Sequence, residues 1–147
     1  MEPILISTLP DPSNREDGLE TIPIPLTAAD RRRVRRLLTA PDGQAFYLAL
    51  PTGTVLRPGT VLWTGGGKAY VVTAAEEDLL RVRPRTLREA AQVGHLLGNL
   101  HRDIVAEGRF IYALWDEGLY HRLRQKGFAV ERVQGPFVGN APGEHAH

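Results

Sequence analysis

Thr86-Leu87-Arg88-Glu89-Ala90-Ala91-Gln92-Val93-Gly94-His95-Leu96-Leu97-Gly98-Asn99-Leu100-His101 is where the chain changes its period. Thr86 opens a helix, and Glu89 three residues later completes a capping-box pattern. Leu87, Ala90, Ala91, Gly94, Leu97, Gly98 and His101 recur at spacings of three and four, which predicts one helical stripe. Two glycines on that stripe each cost about 1 kcal/mol of helix propensity relative to alanine. That cost predicts close approach of another backbone at Gly94 and Gly98. Ahead of the helix, Leu79, Leu80 and Val82 fit a strand ending at Pro84. Behind it, Asp103 to Glu107, the Gly108 turn and Arg109 to Leu114 read as a hairpin. Asp116 is a fitting N-cap for a second helix through Lys126, with Leu119 and Leu123 inward and Gly127 closing it. Phe128, Val130 and Arg132 then alternate with Ala129, Glu131 and Val133 in a last strand. Residues 77–134 thus give the order βαββαβ, a ferredoxin-like unit within a C-terminal domain spanning 76–134.

Residues 1–75 read as a small all-β domain, so the fold class is α+β. Ile22, Ile24 and Leu26 alternate with Pro23 and Pro25, and two prolines confine that strand to an edge. Short apolar runs, Ala45 to Leu50, Val61 to Trp63 and Ala69 to Thr73, are interrupted by Pro41-Asp42-Gly43, Pro51-Thr52-Gly53, Pro58-Gly59 and Gly65-Gly66-Gly67. The spacing suggests a small sandwich or barrel. Thr27 to Arg32 can form one helical turn, with the rest of the arginine run, to Arg36, entering a strand. Residues 135–147, rich in Gly and Pro and ending in His145-Ala146-His147, read as a flexible His-containing tail.

Composition narrows the chemistry. The 147 residues are 42% hydrophobic and 24% charged, with net charge +1, which is a soluble globular balance with a weak bulk case for nucleic acid or anionic membrane. No apolar run approaches the roughly 18–20 residues of a membrane helix, and no basic signal-peptide region precedes one, so a cytoplasmic protein is expected. The absence of cysteine removes disulfides, iron–sulfur clusters, thiolate zinc sites and thiol nucleophiles. The only serines are Ser7 and Ser13, which leaves a serine hydrolase without a good candidate. No converging nucleophile, base and acid can be nominated, and a non-enzyme is expected.

Imidazole is then the best ligand available for a borderline transition metal. The five histidines are His95, His101, His121, His145 and His147. His95 and His101 lie about 240° apart around a helix, too far to chelate one ion together. His145 and His147 can reach one ion together if the tail bends. In a two-fold dimer, one histidine near the axis supplies two imidazoles at once.

Gly98-Asn99-Leu100-His101, placed at the end of the first helix of a ferredoxin-like unit, is similar to the Gly-Asn-Arg-His signature of the urease accessory protein UreE family. Leu50-Pro51-Thr52-Gly53, Leu56 to Leu62 and Val72 to Glu77 resemble that family too, as does Gln134-Gly135-Pro136-Phe137 followed by a His-containing end. The resemblance covers nearly the whole chain. It implies a cytoplasmic, homodimeric nickel metallochaperone whose β-rich N-terminal domain meets partners and whose C-terminal domain dimerises and binds metal. His101 carries over as a metal ligand, with tail histidines His145 and His147 closing over the ion. The implied cargo is Ni2+, with Zn2+ or Cu2+ possible in vitro, and the implied partners are the accessory GTPase UreG and the apo-urease complex. This chain departs from the pattern at Leu100, where the signature has Arg, and at Leu96, where a further His is common.

Plainer readings stand beside these. His101 can be a helix-end histidine favoured by the macrodipole; His95 reads as a packed or surface residue and His121, among Arg122, Arg124 and Lys126, as solvated. The arginine run 31–36 reads as a solvated face, or as a patch for an acidic protein partner. Gly65-Gly66-Gly67-Lys68 lacks the first Gly and the Ser/Thr of a P-loop and reads as a hairpin turn. Lys126-Gly127-Phe128-Ala129-Val130 opens like the signature of a ferredoxin-like RNA-binding module, the alternative function, but without its further aromatics.

Overall fold

The computed structural model describes residues 2–14 and 17–138. Its contacts divide the chain into two compact units, Met1–Ala74 and Ala75–His147.

The first unit is built from two three-stranded sheets. One contains β1 (Ile4–Ile6), β4 (Ala45–Ala49) and β3 (Arg35–Thr39) in the order β1-β4-β3. The other contains β2 (Glu20–Leu26), β6 (Lys68–Ala74) and β5 (Val61–Gly65) in the order β2-β6-β5. β2 is an edge strand, as Pro23 and Pro25 require, and buries Ile22, Ile24 and Leu26 while running parallel to β6. Gly66 and Gly67 both have positive φ, 59° and 76°, which makes the β5–β6 connection a two-residue hairpin of type I′ geometry. Phe46 lies in the core with its ring centroid 4.9 Å from Tyr70 and 6.2 Å from Trp63, so aromatic packing joins the two sheets. The turn at Pro41–Gly43 is stapled to β6. Asp42 accepts from the Tyr70 hydroxyl at 2.7 Å, from Lys68 Nζ at 3.1 Å and from the Gln44 N–H at 3.1 Å.

Part of the arginine run is interior, against the expectation of a solvated face. Arg31 is 1% exposed and donates from Nη1 to the Leu26 carbonyl at 2.9 Å, at the end of a 3-10 turn over Asp30–Arg32. Arg33 and Arg36 turn to Asp30, at 3.6 and 3.1 Å. A run of like charges carries no signal for which member folds inward; here a carbonyl at a strand end selects Arg31.

The second unit is ferredoxin-like. β7 (Glu76–Val82), α1 (Leu87–Asn99), β8 (Val105–Glu107), β9 (Phe110–Leu114), α2 (Glu117–Gln125) and β10 (Val130–Pro136) form one antiparallel sheet, in the order β10-β7-β9-β8, and two helices. Leu80, Val82, Ile111 and Ala113 from the sheet meet Val93 and Leu97 of α1 and Leu119 and Leu123 of α2. Each of the larger side chains contributes about 1.5–3 kcal/mol by leaving water. Both helices start as their sequences dictate: Thr86 Oγ1 accepts from the Glu89 N–H at 3.1 Å, and Asp116 Oδ1 from the Leu119 N–H at 3.0 Å.

Three expectations need correction here. The buried stripe of α1 is centred on Val93 and Leu97, whereas Leu87 is 88% exposed and Ala91 lies outside. The bulkier branched side chains bury more area and take the sheet side. A Cβ added at Gly94 or Gly98 would meet nothing within 4 Å, so within this chain no backbone approaches either glycine. In addition, β10 runs to Pro136 and Phe137 is buried, beyond the point where the tail was expected to begin. The paired segment 131–136 alternates little in hydropathy, and its register against β7 is reinforced by Arg132 and Gln134 donating to Asp78 at 2.6 and 3.1 Å.

Candidate functional site

The last turn of α1 presents His101. The Arg102 N–H donates to the Leu97 carbonyl at 2.9 Å and the His101 N–H to the Gly98 carbonyl at 3.0 Å, the paired bonds of a Schellman ending. His101 occupies the left-handed position of that motif, with φ 54°, and is the only non-glycine with positive φ among the described residues. Glycine is the usual occupant, because a Cβ there costs about 1–2 kcal/mol. An exposed imidazole thus stands where glycine would be easier.

The residues around it hold that position. Leu97 beneath is buried in the helix–sheet core. Next in the chain, Arg102 donates from Nη2 to Asp116 Oδ2 at 2.7 Å, while the other oxygen of Asp116 caps α2. The Leu119 N–H, and then the charge of Arg102, hold the Asp116 carboxyl below the usual carboxylate range. One carboxylate therefore starts the second helix and ties down the chain after His101. This pairing across fourteen residues of sequence has no local signature.

Beside His101 the exposed side of α1 is bare. Leu87, Ala91, Gly94 and Gly98 lie along it, and the groove between this side of the helix and the β8–β9 hairpin has a volume of about 880 Å³. Its floor is apolar, with Ala90, Ile104 and Ile111, and Arg83, Arg85 and Arg109 stand on its rim.

Among the described residues, the other histidines do not gather around His101. The His95 ring Nε2 lies 3.2 Å from the Asn99 amide nitrogen one turn on, in a shallow pocket shared with Lys126 and Phe128. His121 is exposed, 3.8 Å from Glu117 and edge-on to the Tyr120 ring. His145 and His147 lie outside the described residues. Among the described residues there is no group of three or more His, Cys, Asp or Glu side chains able to hold a metal ion.

The opposite face of the sheet carries Phe110 and Tyr112 on the central strand β9. Arg81 lies over the Phe110 ring at 4.5 Å and donates to Glu131 at 2.8 Å. The segment that opens like an RNA-recognition signature falls in the α2–β10 connection and on β10, an edge strand. No helix of the described residues is long and apolar enough to cross a membrane.

Comparison with known proteins adds the following. The family model described as UreE urease accessory protein, N-terminal domain, matches residues 7–75. A urease accessory protein UreE of Deinococcus radiodurans is 51% identical over 134 residues, covering 91% of this chain and 86% of that protein. One from a Synechococcus strain is 47% identical over 131 residues, covering 89% and 88%. Another, from Parasynechococcus marenigrum, is 37% identical over 127 residues, covering 84% and 85%.

Proposed function

Because this chain belongs to the UreE family of urease accessory proteins, we propose that it is a cytoplasmic nickel metallochaperone, without catalytic activity of its own, that delivers Ni2+ to the urease maturation complex. The observation that carries this reading is His101, held in left-handed backbone at an exposed helix end beside a bare, small-residue face. A single imidazole grips a divalent ion weakly. Two copies meeting across that face bring two His101 side chains to one axis, and tail residues His145 and His147 supply further nitrogens. A homodimer is therefore part of the proposal.

Neutral imidazole is the binding form, so protons compete with the ion and acid releases it. Nitrogen ligands exchange more readily than thiolates, which suits hand-over to a partner. The same ligand set accepts Cu2+ and Zn2+ in vitro, and intrinsic affinity favours copper. Selectivity for nickel then comes from the route: the accessory GTPase UreG and the apo-urease complex as receivers. The pairing of Arg81 with Glu131 and the edge position of β10 count against the RNA-binding alternative.

Titration calorimetry with nickel, combined with light-scattering mass, tests the proposal. The wild-type chain should bind nickel tightly as a dimer, and His101→Ala should abolish the tight site with the fold intact. Tight binding that survives His101→Ala, or a monomeric wild-type chain, refutes it.

A further inference from the structure

The exposed imidazole of His101 makes no hydrogen bond or ion pair among the described residues, so its direction is set by the backbone beneath it. That backbone is left-handed, with φ 54°, the region a residue with a Cβ adopts least readily. A turn of this kind relaxes unless its surroundings hold it. Arg102 closes the turn, because its N–H makes the outer of the two bonds across the helix end, to the Leu97 carbonyl at 2.9 Å.

The side chain of Arg102 is fastened to a rigid post. Its Nη2 donates to Asp116 Oδ2 at 2.7 Å. The chain at Asp116 is fixed from both directions. Before it, the Trp115 N–H donates to the Asp78 carbonyl on β7 at 3.0 Å, and Arg132 lies over the Trp115 ring at 4.4 Å. After it, Leu119, whose N–H the other carboxylate oxygen caps at 3.0 Å, is buried in the helix–sheet core. Capping α2 needs one oxygen alone. The second oxygen is therefore left to hold the residue that closes the His101 turn.

Charge by itself argues the other way. A guanidinium on the residue next to His101 repels a divalent cation, and removing it should tighten the site if only Coulomb forces acted. We infer that Arg102 is a positioning residue for the cargo ion, a role that rests on the metal-carrying function proposed above: fastened to Asp116, it holds the turn that presents His101, and this outweighs the repulsion of its own charge. An exposed ion pair shifts an equilibrium by up to about fivefold. A site shared by two chains draws on two such ties, so losing both weakens it by up to about twenty-five-fold.

The test uses the full chain with nickel as the probe, in calorimetry of Arg102→Ala, Arg102→Lys and Asp116→Asn. Asparagine caps a helix as well as aspartate, so Asp116→Asn releases Arg102 and leaves α2 capped. Arg102→Ala should bind nickel about five- to twenty-five-fold more weakly than wild type. Arg102→Lys, which keeps the charge and loses the planar fork, should fall between. The double variant Arg102→Ala with Asp116→Asn should be no weaker than the weaker single one, since both remove the same tie. In metal-free protein with chelator, amide hydrogen exchange at residue 102 should quicken in Arg102→Ala and Asp116→Asn, while the Leu123 amide stays slow and the melting temperature holds. Nickel binding by Arg102→Ala as tight as wild type, or tighter, overturns the inference, and so does unchanged exchange at residue 102. If the wild-type chain binds nickel and the variants match it, the metal-carrying function stands and Arg102 alone loses its role; if the wild-type chain binds none, both fall.

Discussion

The strain at His101 makes a prediction that separates a functional residue from a structural one. Replacing His101 by glycine removes the left-handed cost of a Cβ, about 1–2 kcal/mol. Glycine also frees the unfolded chain, which takes back about 0.5–1 kcal/mol. The net is a stabilisation of about 0.5–1 kcal/mol for His101→Gly, whereas His101→Ala keeps the Cβ and should lie within about 0.5 kcal/mol of wild type. For a unit of this size, about 4–8 °C of melting temperature accompanies each kcal/mol, so the glycine variant should melt a few degrees higher. The measurement is thermal or urea unfolding followed by circular dichroism, with chelator present so that no metal contributes. Nickel titration of the same two variants should show no tight site in either. A more stable protein that has lost its cargo is the signature of a residue retained for binding. If His101→Gly proves less stable than His101→Ala, the side chain is supporting the fold and the strain argument is wrong.

Further predictions address the scaffold and its faces. Gly98→Leu should leave α1 intact, since nothing within 4 Å opposes a Cβ there, and should split the proposed dimer; a wild-type dimer whose mass in light scattering is unchanged by the substitution would remove that face from the proposed interface. Leu123→Ala, at a fully buried position, should cost about 2–5 kcal/mol in urea unfolding, and a loss below 1 kcal/mol would contradict the packing described. The Asp42–Tyr70 pair predicts a stability plateau bounded on both sides. The Tyr70 hydroxyl, then the Gln44 N–H, hold the Asp42 carboxyl below the usual range; folding therefore favours the ionised form, and its contribution falls away as acid drops pH through that lowered value. Burial first, and then Asp42, push Tyr70 up to about 12; folding favours the neutral phenol, with full effect below the usual value of about 10, lost as pH rises through about 12. Tyr70→Phe should weaken both limbs in urea midpoints measured across pH, and an alkaline limb identical to wild type would refute the assignment.

Local chemistry wrote much of this protein openly. Thr86 and Asp116 cap their helices, Gly66-Gly67 makes a tight hairpin, Pro23 and Pro25 mark an edge strand, and the element order of the second half is that of a ferredoxin-like sheet. These features depend on backbone conformation and hydrogen bonds within a few residues, so a linear reading reaches them. The resemblance of Gly98-Asn99-Leu100-His101 to a family signature singled out His101 as a candidate, and the left-handed backbone there was not legible in it.

Tertiary structure alone decided the rest. Which side of α1 is buried depended on the sheet it packs against, and Val93 and Leu97 displaced the glycine side from the core. Arg31 went inside because the Leu26 carbonyl awaited it. β1 became a strand because it pairs in parallel with β4, forty-two residues away in the register Ile4 to Phe46. The Arg102–Asp116 tie behind His101 likewise needed the second helix in place. Burial, pairing and tolerated strain are set by groups distant along the chain, and only the folded arrangement brings those groups to bear.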